Sequence, residues 1–71
     1  MINTPSKRIS FCKNLAKIRE SKGFTQQQVA NIIGITQSVY ARLESAKHSP
    51  SLDILIKIAE ALSCEIDIIE K

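Results

Sequence analysis

The residues from Thr25 to Glu44, TQQQVANIIGITQSVYARLE, constrain the fold of this chain more than any other segment. Their apolar residues recur at three- and four-residue intervals in two short runs, which is the spacing of two amphipathic helices. A single apolar residue lies between the runs. We expect all of these side chains to point inward, namely Val29, Ile33, Ile35, Tyr40 and Leu43.

The same segment carries signals for where each helix begins and where the turn lies. Thr25 followed by Gln28 has the spacing of a capping box, and Thr36 is a good N-cap for the second helix. Ala30 is small where the second helix must approach closely, and Gly34 stands where the turn needs a positive φ. The segment is therefore predicted to be a helix-turn-helix.

The outward side of the second helix carries residues that suit a base-reading surface. Glutamine and arginine can form paired hydrogen bonds with adenine and guanine, serine can bond almost any base edge, and valine can pack on a thymine methyl group. The alternative is an ordinary pair of core helices. The solvent-facing side of such a helix would more often carry pairs of Glu and Lys. The candidate base-reading residues are Gln37, Ser38, Val39 and Arg42.

The remaining sequence predicts two further helices around this unit, in a chain whose 71 residues suffice for one domain. Helix 1 is expected from about Lys7 to Lys22, with Ser6 as its cap. Helix 4 is expected from Ser51 to near Ser63. With 44% hydrophobic and 4% aromatic residues, an all-α domain over 7–63 is predicted, after a flexible arm at 1–6. The predicted inward residues of these helices are Ile9, Cys12, Leu15, Ile18, Leu52, Leu55, Ile58, Ala59 and Leu62.

The period of the apolar residues changes in the C-terminal tail, residues 64–71. In CEIDIIEK, Ile66 and Ile68 alternate with Glu65, Asp67 and Ile69, which is the pattern of a short strand. A single strand needs a partner, and a second copy of the same strand would supply one. We therefore expect the tail to form a homodimer through Ile66 and Ile68.

Charge is distributed unevenly along the chain, whose net charge is +3. The first 23 residues contain six basic residues and one acidic residue, whereas residues 51–71 contain two basic and five acidic residues. A polyanion such as double-stranded DNA would be attracted to the first two thirds of the chain. The acidic last third is better suited to a protein contact.

Several functional classes lack any signal in the sequence. No nucleophile and base, carboxylate pair or phosphate-binding glycine loop indicates catalysis, and we predict no cofactor and no small-molecule ligand. Cys12 and Cys64 have no metal-ligand spacing, so no metal is expected and both are interpreted as buried thiols in a reducing cytoplasm. No apolar run is long enough for a membrane span or a signal peptide, so no membrane partner is expected.

From Leu15 to Leu62, RESKGFTQQQVANIIGITQSVYARLE followed by PSLDILIKIAEAL resembles the Xre-type helix-turn-helix proteins, the group that contains phage repressors and Cro. The resemblance implies a four- or five-helix fold, dimeric operator binding and a recognition helix that begins at Thr36. It implies phosphate contacts at Gln26 and in the loop that holds Ser45, Lys47 and His48.

The resemblance also implies an ion pair between Arg19 and Glu44, although two unrelated surface charges are the alternative reading of these residues. His48 has a second reading too, as a residue that simply faces solvent. One position departs from the family, because Ala46 stands where glycine is usual. This departure predicts a less tightly turned loop after the recognition helix.

The sequence supports two functional hypotheses from different classes. The first is a dimeric transcriptional repressor of a palindromic operator. The second is an antitoxin that neutralises a toxin protein and represses its own operon, because the tail is similar to the strand ending of small antitoxins that partner HipA-type kinases. A bridging coactivator domain would need an interaction segment that these residues do not show.

Overall fold

The structure is a computed structural model that describes residues 4–67 and 69–70. It contains four helices in this part of the chain: α1 (Thr4–Ser21), α2 (Gln26–Ile33), α3 (Gln37–Glu44) and α4 (Leu52–Ala61). The helices α2 and α3 begin directly after the predicted caps, Thr25 and Thr36. The all-α prediction is confirmed, with four helices.

Helix α1 begins earlier than predicted, at Thr4 instead of about Lys7. Ser6 is therefore inside the helix and does not cap it, and residues 4–6 of the predicted arm are helical. Residues 1–3 lie outside the described residues. At its other end the helix stops before Gly23, whose φ of 81° takes the left-handed conformation.

The predicted caps of the central unit are present. The Thr25 hydroxyl accepts a hydrogen bond from the Gln28 backbone N–H, and the Gln28 side chain accepts one from the Thr25 N–H. The Thr36 hydroxyl caps α3 by accepting from the Val39 N–H. Gly34, with φ 80°, provides the turn between the two helices. These local interactions fix where each helix starts and stops.

The core forms where α2 packs against α3 and α4, while α1 packs against α3. All five residues predicted to point inward from the central unit are buried or packed against the core. The fully enclosed side chains include the ring of Tyr40. The buried cluster consists of Val29, Ala30, Ile33, Tyr40, Leu43, Ile58 and Leu62.

Two apolar residues predicted to be buried are exposed instead. Ile9 is near the start of α1, and Leu52 is the first residue of α4. Helical periodicity specifies the direction of a side chain around the axis, but it does not specify how far along that axis the neighbouring helices extend. Leu52 has the phase of Ala59 and lies at the first turn of α4, whereas Ile9 lies about 100° around α1 from Arg8, which contacts Ala46.

The predicted C-terminal strand is not supported. Residues 64–67 and 69–70 form no regular secondary structure, and the Cys64 N–H instead bonds the Ala59 carbonyl at 2.7 Å to close α4. A strand must pair with another strand, and the described residues of this chain form helices and no strand. Ile66 is exposed, whereas Ile68, its predicted companion in the dimer contact, lies outside the described residues.

Candidate nucleic-acid interface

The second helix of the central unit presents one side to solvent. The helix packs against α1 and α2, and its residues Tyr40 and Leu43 are buried, so the opposite side faces outward. The residues of that side, here called the α3 face, are Gln37, Ser38, Val39 and Arg42. Ser38, Val39 and Arg42 are exposed and Gln37 is half-buried. The structure thus brings together the four residues predicted to read bases.

A buried ion pair holds the end of α3 against α1. Arg19 donates from Nε to Glu44 Oε2 at 2.6 Å and from Nη2 to Oε1 at 3.2 Å. Its Nη1 donates to the Phe24 carbonyl at 2.6 Å. The side chains of Arg19 and Glu44 are only 10% and 5% exposed. The predicted pair is confirmed, and its two-pronged geometry fixes the relative position of the two helices.

Two glutamines extend this ion pair to the α3 face. Gln26 Nε2 donates to Glu44 Oε1 at 3.0 Å, and Gln26 Oε1 accepts from Gln37 Nε2 at 2.8 Å. The resulting chain of hydrogen bonds, Arg19–Glu44–Gln26–Gln37, is called the polar relay below. It joins three helices and ends on the first residue of α3. Gln37 is therefore held in one position before any ligand arrives.

The hydrogen bonds and the burial of the polar relay shift the pKa values of its charged side chains. Burial by itself would raise the pKa of Glu44, but hydrogen bonds from Arg19 and Gln26 outweigh it and hold this pKa below the usual range. The hydrogen bond to Glu44 raises the pKa of Arg19. Burial likewise raises the pKa of Tyr40, whose hydroxyl has no hydrogen-bond partner among the described residues. At neutral pH the Arg19–Glu44 pair is fully charged.

The loop after α3 keeps a tight turn although it lacks glycine. Ala46 adopts φ 63°, and the Lys47 N–H bonds the Arg42 carbonyl at 3.0 Å, which is the closing bond of a Schellman turn. The expectation of a looser turn at Ala46 is thus wrong. Ser45, Lys47 and His48 are all exposed on this turn. The Ser45 hydroxyl donates to the Arg42 carbonyl at 3.2 Å.

A contact that the sequence did not predict stabilises the same turn. Arg8 of α1 donates from Nη2 to the Ala46 carbonyl at 2.9 Å. Arg8 lies one helical turn before the buried Cys12 and therefore on the same side of α1. This spacing is the sequence feature that could have predicted an inward contact of Arg8. The polar relay through Gln26 left no comparable signal, because its members lie 11, 18 and 25 residues apart.

Other kinds of site have little support in the part of the chain that the structure describes. No three His, Cys, Asp or Glu side chains there are grouped so that they could hold a metal ion. None of the helices in residues 4–67 has both the length and the apolar character that crossing a membrane requires.

Comparison with known proteins places this geometry in a family. Residues 15–69 match the helix-turn-helix family HTH_3. The chain is 38% identical over 61 residues to the SPbeta prophage-derived uncharacterized HTH-type transcriptional regulator YonR of Bacillus subtilis, covering 86% of this chain and 56% of that protein. It is 40% identical over 55 residues to the cryptic phage CTXphi transcriptional repressor RstR of Vibrio cholerae, covering 78% and 49%.

A third relative, the HTH-type transcriptional regulator AnsR of Bacillus subtilis, is 34% identical over 53 residues, covering 75% of this chain and 46% of that protein. The chain therefore spans about half the length of these curated relatives. The match to the family covers most of the chain and includes all of α2 and α3. The chain belongs to the Xre-like helix-turn-helix family.

Proposed function

We propose that this helix-turn-helix domain binds operator DNA as part of a transcriptional repressor, with α3 in the major groove. The observation that carries the proposal is the α3 face, in which three of four residues are exposed and the first, Gln37, is held by the polar relay, while Tyr40 and Leu43 of the same helix are buried. The match to HTH-type regulators, one of them named as a repressor, supports it.

The α3 face offers a set of groups that can distinguish base pairs. The Arg42 guanidinium can donate to guanine O6 and N7, and the Gln37 amide can pair with adenine N6 and N7. Val39 provides an apolar contact for a thymine methyl group, and Ser38 can donate or accept. Recognition by these four side chains requires no cofactor.

Phosphate contacts would position α3 along the groove. The Gln26 side chain uses one N–H on Glu44 and keeps a second N–H for a phosphate oxygen. Ser45, Lys47 and His48 surround the other end of α3, where the Schellman turn and the Arg8 contact keep the loop in place. Gln26 bonds both the first and the last residue of α3, and the loop group directly follows its C-terminal end, so both groups can hold the DNA backbone beside the bases that α3 reads.

The salt dependence of binding tests whether contacts to the DNA phosphates provide the affinity for the operator. A dimer that makes roughly 6 to 10 phosphate contacts should lose about 10³ to 10⁵ in affinity for its operator between 50 and 200 mM salt. The operator can be obtained by selection from a randomised duplex library. A salt titration that is flat on the selected duplex would contradict DNA binding of this kind.

Base reading is tested by comparing substitutions on the α3 face with one in the loop. Arg42→Ala should cost roughly 1 to 3 kcal/mol on the selected operator and relax the preference at particular base pairs. Lys47→Ala is the matched control, because it also removes one exposed positive charge but should weaken all sequences alike. If both variants select the same sequences as the wild type, α3 is not the reading helix.

The proposal includes a homodimer on a palindromic operator, with the tail as the contact between subunits. Ile66 and Ile69 are exposed in the single chain and are suited to such a contact. Because the Cys64 N–H closes α4, truncation after Cys64 removes the tail and preserves the end of the helix. Sedimentation should then detect a folded monomer, with affinity for a full operator close to that for a half-site. A truncated chain that still dimerises would place the contact elsewhere.

A toxin partner is the second candidate function, favoured by exposed isoleucines beside acidic residues at the end of the chain. Ile56 and Ile66 are exposed near Glu60 and Glu65, around one shallow cavity. An antitoxin should bind the product of an adjacent gene directly, and Ile66→Ser should weaken that complex without changing the selected operator. A gene neighbourhood without a toxin gene, together with a phage gene cluster, would instead support the repressor.

A further inference from the structure

The turn after α3, residues 45–48, carries three of the four candidate phosphate contacts, and its own hydrogen bonds lead back to α3. The backbone N–H groups at 45–47 bond carbonyl oxygens of α3 at 3.0 to 3.2 Å, and the Ser45 hydroxyl bonds the Arg42 carbonyl. Ser45, Lys47 and His48 are exposed on this turn. These bonds shape the turn, but they do not tie it to the rest of the domain.

Arg8 ties the turn to another helix. Its Nη2 donates to the Ala46 carbonyl at 2.9 Å, and among the described residues this is the one hydrogen bond that joins 45–48 to α1, α2 or α4. Arg8 and His48 also line the same cavity. Because the family match begins at residue 15, Arg8 lies outside the part of the chain that the family pattern covers.

The residue that Arg8 bonds is also the strained residue of the turn. Ala46 has φ 63°, a conformation in which the Cβ of alanine makes it unfavourable relative to glycine. Without the bond from Arg8, the turn would relax away from this conformation more often. The Lys47 N–H would then lose its hydrogen bond to the Arg42 carbonyl, and the Lys47 side chain would no longer be held in one place.

We propose that Arg8 is a positioning residue for DNA binding, which holds the strained turn at Ala46 in the conformation that presents Lys47 to a DNA phosphate. The proposal rests on the proposed function, since it requires the turn to contact the DNA backbone. Arg8 acts through the turn, because its guanidinium bonds the Ala46 carbonyl and the neighbouring Lys47 meets the phosphate. DNA binding thus depends on a segment of α1 that precedes the family match.

The first measurement is made without DNA. The protection of the Lys47 N–H against hydrogen exchange reports how often the turn opens. Arg8→Met removes the donor, and it should lower this protection factor roughly fivefold, the equilibrium value of one exposed hydrogen bond. Adding Ala46→Gly should restore most of the protection, since glycine removes the strain. The Tyr40 N–H inside α3 is the internal reference and should not change.

The second measurement is the affinity for the operator that the wild-type chain selects from a randomised duplex library. Arg8→Met also removes a positive charge, so part of its loss of affinity reflects charge alone. The same substitution in the Ala46→Gly background removes the same charge from a turn that needs less support, and the loss should be at least threefold smaller there. Lys13→Met is the matched control, because Lys13 is exposed and lies about 140° around α1 from Arg8. It should cause the same loss in both backgrounds.

A third comparison tests whether Arg8 acts through the turn. Lys47→Ala should weaken binding to every duplex in the wild-type background. It should weaken binding by a smaller factor when it is combined with Arg8→Met, because the lysine is then no longer held at the phosphate. Two independent contacts would instead give losses that multiply.

The failure of this inference can be distinguished from the failure of the proposed function. If the wild-type chain enriches no sequence, the proposed function and the inference both fall. If it enriches an operator, any of three results overturns the inference alone. These are unchanged protection of the Lys47 N–H in Arg8→Met, an equal loss of affinity from Arg8→Met with and without Ala46→Gly, and losses that multiply for Arg8→Met and Lys47→Ala.

Discussion

The helix-turn-helix unit and the C-terminal tail are both rich in isoleucine, yet they differ in what holds them. In the unit, capping hydrogen bonds define both helices, and the apolar residues at helical spacing are enclosed. At the end of α4, Leu62 is 1% exposed, whereas Ile69 in the tail, seven residues later, is 81% exposed. The comparison teaches that the unit is specified by contacts within the chain, whereas Ile66 and Ile69 of the tail stay exposed in the structure.

The largest expected effect concerns the ion pair at the end of the unit. Glu44→Ala leaves the buried Arg19 without its carboxylate, which should lower the free energy of unfolding by about 3 to 5 kcal/mol in urea denaturation. Glu20→Ala is the matched control, because Glu20 also lies within 3.9 Å of Arg19 but its side chain is 68% exposed. We expect less than about 0.5 kcal/mol for it. Equal effects would mean that burial of the pair is not what stabilises the unit.

The boundary between enclosed and exposed residues can be tested by comparing Leu62, at the end of α4, with Ile69 in the tail. Leu62→Ala should cost about 2 to 5 kcal/mol, since it opens a cavity in the core. Ile69→Ala should change the unfolding free energy of the monomer by less than about 0.5 kcal/mol. The measurement is urea denaturation at a concentration where sedimentation shows monomers. A large loss from Ile69→Ala under those conditions would show that the tail is held within its own chain.

The turns that follow α2 and α3 test how much backbone strain costs. Ala46 and Gly34 both have positive φ, and both close the preceding helix with a Schellman bond. Ala46→Gly should stabilise the protein by about 1 kcal/mol, and Gly34→Ala should destabilise it by about the same amount. An added Cβ at Gly34 would meet no atom within 4 Å, so strain is the only cost expected there. Thermal unfolding should show a higher melting temperature for Ala46→Gly and a lower one for Gly34→Ala. If both substitutions shifted the melting temperature in the same direction, backbone strain would be excluded as the cause.

The smallest expected effect comes from lowering the pH until Glu44 is protonated. Because the folded pKa of this carboxyl lies below its ordinary value of 4.5, its contribution to stability is complete above that pH and is lost as the pH falls through the folded pKa. The free energy of unfolding should therefore decline between about pH 5 and pH 3. Glu44→Gln should show a shallower decline over the same interval. Identical pH slopes would mean that other carboxyl groups dominate the acid sensitivity.

Sequence reasoning predicted the unit well because its signals are local. The capping box at Thr25, the cap at Thr36 and the glycine turn act within a few residues, and the structure confirms each of them. The Arg19–Glu44 pair came from the resemblance to a family, since 25 residues separate its members. The hydrogen bonds of Gln26 had no sequence signal, because side-chain amides can pair in several directions.

The predictions from sequence were wrong where tertiary packing determines the local backbone conformation. The alternating pattern of the tail indicated a strand, but in the described part of the tail the chain only closes α4 and then continues without regular structure. Ala46 shows the reverse error, since packing and the hydrogen bond from Arg8 hold an alanine in a glycine conformation. Periodicity and composition do not report on these tertiary constraints.

The central claim, that the α3 face and not the tail meets DNA, is tested most directly by mapping backbone amide chemical shifts. The labelled protein would be titrated with its selected duplex and, separately, with a scrambled duplex of equal length. The account predicts that the changes specific to the operator concentrate at Gln37–Arg42, with smaller changes shared by both duplexes at Gln26 and at 45–48. Operator-specific changes concentrated in residues 62–70, with α3 unchanged, would contradict it.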